Sequence, residues 1–135
     1  MRRSILAALL ACAVFTCPSL AAAQSSPTHY LSTASNNATL VKTGQVTLAS
    51  VLAVNTTGTV YYLKLYNKAT APVCGTDVPK WTIPVPASGG VASHNIAMGV
   101  LFPLGLGFCL VAGIADNDNT AAVAGIAINF GLSGR

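Results

Sequence analysis

Residues 59–67, Thr-Val-Tyr-Tyr-Leu-Lys-Leu-Tyr-Asn, constrain the fold of this chain more than any other stretch. Tyr61, Leu63 and Leu65 fall on one side of an extended backbone, and Tyr62, Lys64 and Tyr66 fall on the other. A period of two is that of a half-buried β-strand. A helix would scatter the same residues around its axis. Helix signals are weak through the rest of the chain as well. β-branched and aromatic runs alternate with Gly, Pro and Asn punctuation.

Read this way, strands are expected at 38–42, 45–55, 59–67, 80–85, 91–97, 106–115 and 121–132. Within 45–55 the inward set is Val46, Leu48 and the run from Val51 to Val54. Pro84 and Pro86 place 80–85 at a sheet edge or end, because proline donates no ladder hydrogen bond. Residues 106–115 are apolar on both faces and read as a buried strand. In 121–132, Ala124, Ile126, Ile128 and Phe130 share one face, opposite Val123, Gly125 and Ala127. Residues 68–79 and 98–105 read as long connections suited to crossings between sheets. About seven or eight short antiparallel strands over roughly 100 residues predict an all-β β-sandwich with jelly-roll or Greek-key (Ig-like) wiring.

The first 23 residues have a different character. Arg2 and Arg3 precede an apolar stretch over residues 5–20, and Ala21-Ala22-Ala23 supplies the small residues of a cleavage site. This is the pattern of a secretory signal peptide, and its apolar core is too short to span about 30 Å of hydrocarbon. Leu9-Leu10-Ala11-Cys12 resembles a lipoprotein cleavage box. The short apolar core before it and the conventional site after it favour the ordinary leader over a lipid anchor at Cys12. The expected organisation is a signal peptide at 1–23, a loose polar arm at 24–36 and one β-sandwich domain at 37–135. The mature protein is expected in the periplasm or outside the cell.

Charge is scarce. Asp, Glu, Lys and Arg make up 7% of the chain, against about 25% in an ordinary soluble domain. Past residue 23 the positive residues are Lys42, Lys64, Lys68, Lys80 and Arg135, and the negative ones are Asp77, Asp116 and Asp118. A surface with so few charges has little self-repulsion and associates readily. The lysines are dispersed and form no basic patch, which argues against nucleic acid as a partner.

Two cysteines follow the leader, Cys74 and Cys109. In an oxidising compartment an even pair most simply forms one disulfide. It would contribute about 4 kcal/mol by the chain-entropy estimate. Neither belongs to a CxxC motif, so a redox role is not indicated.

No catalytic constellation is legible. His29 and His94 are the only histidines, and no nucleophile motif accompanies them or Asp77. Paired carboxylates for glycosidase chemistry are absent from the pattern. No zinc spacing, phosphate-binding glycine loop or dinucleotide fingerprint appears, so no cofactor is expected. Asp116 and Asp118, in Asp-Asn-Asp-Asn, are weak metal candidates. A calcium loop needs more carboxylates, and an Asx-rich turn accounts for the run. Trp81, Tyr62 and Tyr66 are candidate contacts for a ligand or a neighbouring subunit. Cross-strand packing within one sheet is the plainer account of them. Asn37-Ala38-Thr39 and Asn55-Thr56-Thr57 match the glycosylation sequon, a pattern short enough to arise by chance in a chain rich in Asn and Thr.

One stretch is familiar. Residues 62–72, Tyr-Leu-Lys-Leu-Tyr-Asn-Lys-Ala-Thr-Ala-Pro, continue into Gly-Thr-Asp-Val-Pro at 75–79 and Thr-Ile-Pro-Val-Pro at 82–86. Together they resemble a family of small phage and prophage virion structural proteins. Asn37 to Lys42 and Ala115 to Ala121 look similar too. The resemblance implies an all-β decoration- or tail-associated subunit and carries no enzymatic residue. A leader and a disulfide depart from what a virion assembled in the cytoplasm requires, and point to an exported relative. The expectation is therefore an exported, non-enzymatic assembly subunit that self-associates or joins other exported proteins. The alternative is a β-sandwich module that binds surface carbohydrate.

Overall fold

The computed structural model describes residues 27–133; the expected leader lies outside them. Eight strands make up the molecule: β1 (Pro27–Leu31), β2 (Thr39–Thr43), β3 (Val46–Asn55), β4 (Tyr61–Asn67), β5 (Trp81–Val85), β6 (Gly90–Phe102), β7 (Gly105–Val111) and β8 (Ala127–Ser133). There is no helix among the described residues. Two four-stranded antiparallel sheets result, ordered β1-β8-β3-β6 and β2-β7-β4-β5.

That order is jelly-roll wiring. β1 pairs with β8, β2 with β7, β3 with β6 and β4 with β5, as in a long hairpin folded at the β4–β5 connection. Rolling the hairpin up adds two further pairings, β3 with β8 and β4 with β7. The sandwich expected from the strand count is therefore present, but residues 68–80, expected to cross between sheets, join β4 to β5 within one sheet. β5, with Pro84, lies at a sheet edge as its prolines require.

The inner faces close on one apolar core. Leu48 and Val51 of β3, Leu63 of β4, Phe102 of β6, Phe108 of β7 and Phe130 of β8 are all essentially inaccessible. Burying each such side chain contributes about 1.5–3 kcal/mol. Phe108 and Phe130 meet with ring centroids 5.5 Å apart.

Four further expectations are corrected. Over Pro27–Leu31 the arm is not loose but is edge strand β1, paired along its length with β8. The anchor is Tyr30, whose ring sits 5.2 Å from Phe108 and 5.9 Å from Phe130, edge to face with both. Ser32 then fixes the crossover: its amide donates to the Ile126 carbonyl, and its hydroxyl donates to the Val123 carbonyl.

Residues 98–102, expected in a loop, continue β6, because Phe102 reaches the core. The strand is interrupted instead by a large bulge. Four residues, from Ile96 to Gly99, lie between the pairs Ser50↔Asn95 and Leu48↔Val100, where β3 supplies only Ala49. Gly99 has φ +69°, and a Cβ there would run into the Thr47 side chain, so the bulge needs glycine at this point.

Ala49 is also the extra residue against β8. It reverses the alternation of β3. Val46 and Leu48 point inward before it, and Val51 and Ala53 after it, so Leu52 and Val54 are turned to the outer face rather than the core.

Residues 112–115 and 121–126 are not strand. They belong to the loop after β7, tied to it by a single bridge from Val111 to Ala121; its later part returns to the main core, where Ala122 and Ile126 are buried.

Candidate functional site

The outer face of the second sheet is covered. β4 was expected to be half-buried, yet Lys64 and Tyr66 on its outward side are inaccessible. Two segments lie over them. The first, residues 68–80, carries Cys74, which is bonded to Cys109 in the middle of β7 across a separation of 35 residues. Cys74, Cys109, Tyr66 and Val111 form a second small core, with Tyr62 packed at its border. Pro72 is pressed onto β7, and a Cβ on Gly107 would come within 2.8 Å of its ring. Lys68 forms an ion pair with Asp77, whose carboxylate also accepts from the Val73 amide at 2.7 Å. The Lys68 hydrogen bond and then that amide hold the Asp77 carboxyl below its usual range.

The second covering segment is the loop after β7. Lys64 sends its ammonium outward from the sheet into this loop, where Nζ donates to the carbonyls of Ala115 at 2.5 Å, Asp118 at 3.1 Å and Asp116 at 3.4 Å. Burial lowers the Lys64 pKa, against the opposing pull of Asp118 and Asp116. The Asp118 carboxylate caps its own loop, accepting from the amides of Gly113 and Thr120, both at 3.1 Å. The carbonyls of the Asp116–Asp118 turn thus face the chain's own ammonium. Among the described residues no group of three or more His, Cys, Asp or Glu is placed to hold a metal ion.

Of the three aromatic candidates, the structure withdraws Tyr66 from any external contact, because its ring is fully buried. Its hydroxyl has no hydrogen-bond partner among the described residues. Burial, with Asp77 and Asp116 nearby, pushes its pKa up to about 12. Tyr62 is partly covered. Trp81 lies elsewhere, on edge strand β5, where it meets His94 of edge strand β6 with ring centroids 5.2 Å apart at 71°. The two rings flank the open side of the sandwich. A cleft of about 620 Å³ opens there, lined by Trp81, Ser93, His94, Asn95, Ile96 and Val100 among others. The β6 bulge forms one wall of it. Sequence reasoning named Trp81 and His94 separately. Nothing in the sequence joins them, since they meet only where the two sheets' edges do.

The outer face of the first sheet is bare by comparison. Its four strands contain no Asp, Glu, Lys or Arg. The registers align Leu31, Ala127, Val54 and Val91 in one row across it, and His29, Asn129, Leu52 and Ser93 in the next. Leu31 is 62% exposed, Val91 50% and Leu52 39%. His29 Nδ1 and Asn129 Oδ1 lie 2.9 Å apart across β1 and β8.

Neither sequon asparagine has a free side chain. Asn55 is buried, and its Nδ2 donates to the Thr59 carbonyl at 2.8 Å. Asn37 Nδ2 donates to the carbonyls of Ser35 and Thr33. Comparison of the chain with protein-family models, curated proteins and solved structures finds no match.

Proposed function

We propose that this chain is an exported, non-enzymatic structural subunit that assembles with copies of itself through the outer face of the β1-β8-β3-β6 sheet. The observation that carries the reading is the segregation of charge. Every Lys and Asp among the described residues lies in the other sheet or the segments beside it, and none lies in the four strands of this one; the one ammonium that reaches it, that of Lys80, binds the Leu101 carbonyl near the end of edge strand β6. A face of apolar, amide, hydroxyl and imidazole groups, with no Asp, Glu, Lys or Arg in its strands, can be dried without stripping water from a carboxylate or an ammonium. Two copies placed face to face also bring no like charges together.

The size is adequate. Four strands at about 4.8 Å spacing and about 30 Å of strand length offer roughly 600 Å² per copy, near the lower end of specific interfaces. Jelly rolls serve as capsid and lectin domains, so the architecture accommodates such a role without assigning it. The resemblance to phage structural proteins points the same way, and the leader pattern and the disulfide fit export.

The test is to express residues 24–135 into an oxidising compartment and measure mass by light scattering, with negative-stain images of the same sample. Dimers or regular oligomers are expected, and Leu52→Lys should weaken association by about tenfold or more, by burying an unpaired charge. A monomer at high concentration, or assembly unchanged in Leu52→Lys, would overturn the reading.

A further inference from the structure

From the cleft at the open side of the sandwich we infer a binding site for neutral saccharide chains, a function beyond the assembly reading, with Ser93 common to the cleft and to the proposed assembly face. Three features of the cleft carry this. First, Trp81 and His94 meet edge to face. Trp81 is half-buried, packed against the main core, and part of its indole lines the cleft beside the exposed His94 ring. An aromatic ring at the surface of a cleft is what the C–H face of a pyranose stacks on. Second, the polar groups of the wall are neutral. Ser93, His94 and Asn95 are exposed and offer a hydroxyl, an imidazole and an amide, each able to donate and accept, as sugar hydroxyls do. No Lys, Arg, Asp or Glu lines the cleft, so nothing there would repay the desolvation of an ionic ligand. Third, the volume, about 620 Å³, lies within the range of small-molecule sites. The cleft is an open depression along β6, with Trp81 of β5 at its side, rather than a cavity closed around a single small apolar ligand.

The β6 bulge gives this arrangement a cause. An uninterrupted β6 would keep Ile96 through Gly99 in register beside β3. With four residues against one, the strand departs from the ladder where the wall of the cleft is needed.

Trp81 is the only tryptophan in the chain, so intrinsic fluorescence reads the cleft directly. The mature chain would be titrated with neutral tetrasaccharides of glucose and of N-acetylglucosamine, and with an anionic tetragalacturonate of the same length. At least one neutral probe should change Trp81 emission saturably at about millimolar concentration or below, with the anionic probe about tenfold weaker or worse. His94→Ala and Asn95→Ala retain the fluorophore, and each should weaken the response about tenfold, as one lost hydrogen-bonding or stacking partner would. Ile114→Ser, in the loop over the other sheet, should leave it unchanged. No saturable change with any neutral probe, a stronger response to the anionic one, or equal responses in the parent, His94→Ala and Asn95→Ala would overturn the inference. Light scattering on the same samples separates this outcome from a failure of assembly.

Discussion

The two sheets share one core but are finished on the outside in opposite ways. Over β2-β7-β4-β5 lie two loops, a disulfide, an ion pair, a buried ammonium and a second small core. Over β1-β8-β3-β6 no such covering segment packs among the described residues, and the exposed side chains there are apolar, hydroxyl, amide or imidazole. A small domain has little core to spare. Covering one sheet extends the buried surface there, and the bare sheet is left for a partner. Local stability should therefore be concentrated on the covered side and association on the bare side.

The strongest way to break that comparison is to release the cover. Cys74→Ala with Cys109→Ala is expected to cost about 4 kcal/mol, measured as a lower denaturation midpoint. A loss under about 1 kcal/mol would mean that Pro72, Asp77 and the second core hold residues 68–80 without the bond.

Lys64→Met comes next, at about 3 kcal/mol. It keeps the apolar stem but leaves the carbonyls of Ala115, Asp116 and Asp118 without their donor. Amide exchange should accelerate across residues 113–122 and stay slow in β3 and β8. Uniform acceleration would show that the loop and the sandwich unfold together.

Alkaline titration sharpens the contrast further. Tyr66 is held at about 12 against an ordinary value of 10.0, so the folded state keeps the phenol proton more tightly than the unfolded state. That contribution is complete below pH 10, falls as pH rises and is gone by about pH 12, worth about 2–3 kcal/mol over the interval. The lowered Lys64 acts with the opposite sign in the same region. The measurement is therefore the difference between the parent and Tyr66→Phe, which shares Lys64. Tyr66→Phe should lose this slope. It should be at least as stable as the parent near neutrality, since the hydroxyl it removes has no partner.

On the bare sheet the effect on folding should be smallest. Leu52→Lys, which is expected to disrupt assembly, should change monomer stability by no more than about 0.5 kcal/mol. A larger loss would mean that the outer face contributes to the fold itself.

Much of this architecture is legible in the residues. The period-two run over 59–67, the prolines after Trp81 and the apolar stretch around Cys109 foretell an all-β sandwich, an edge strand and a buried central strand, because alternation and proline chemistry are local properties. The even cysteine count foretells the disulfide. Export and the phage-like role rest on patterns that folding does not display.

Other features depended on partners far away in the chain. Tyr66 and Lys64 alternate as an outward face should, and only the arrival of residues 68–80 and 112–122 buries them. The polar run 24–36 gives no sign that Tyr30 will wedge between Phe108 and Phe130 and make a strand of Pro27–Leu31. Trp81 and His94 become neighbours only because the jelly roll brings the edges of two sheets together. Ala49 decides the most. Strict alternation would have carried the inward face of Val46 and Leu48 on to Leu52 and Val54. One extra residue in the ladder turns those two outward and completes the uncharged face. The sequence by itself determined which segments extend and which residues prefer to be buried, since those follow from side-chain chemistry. Which of two apolar faces reaches the core is a matter of register, and register is settled only when strands distant in sequence pair.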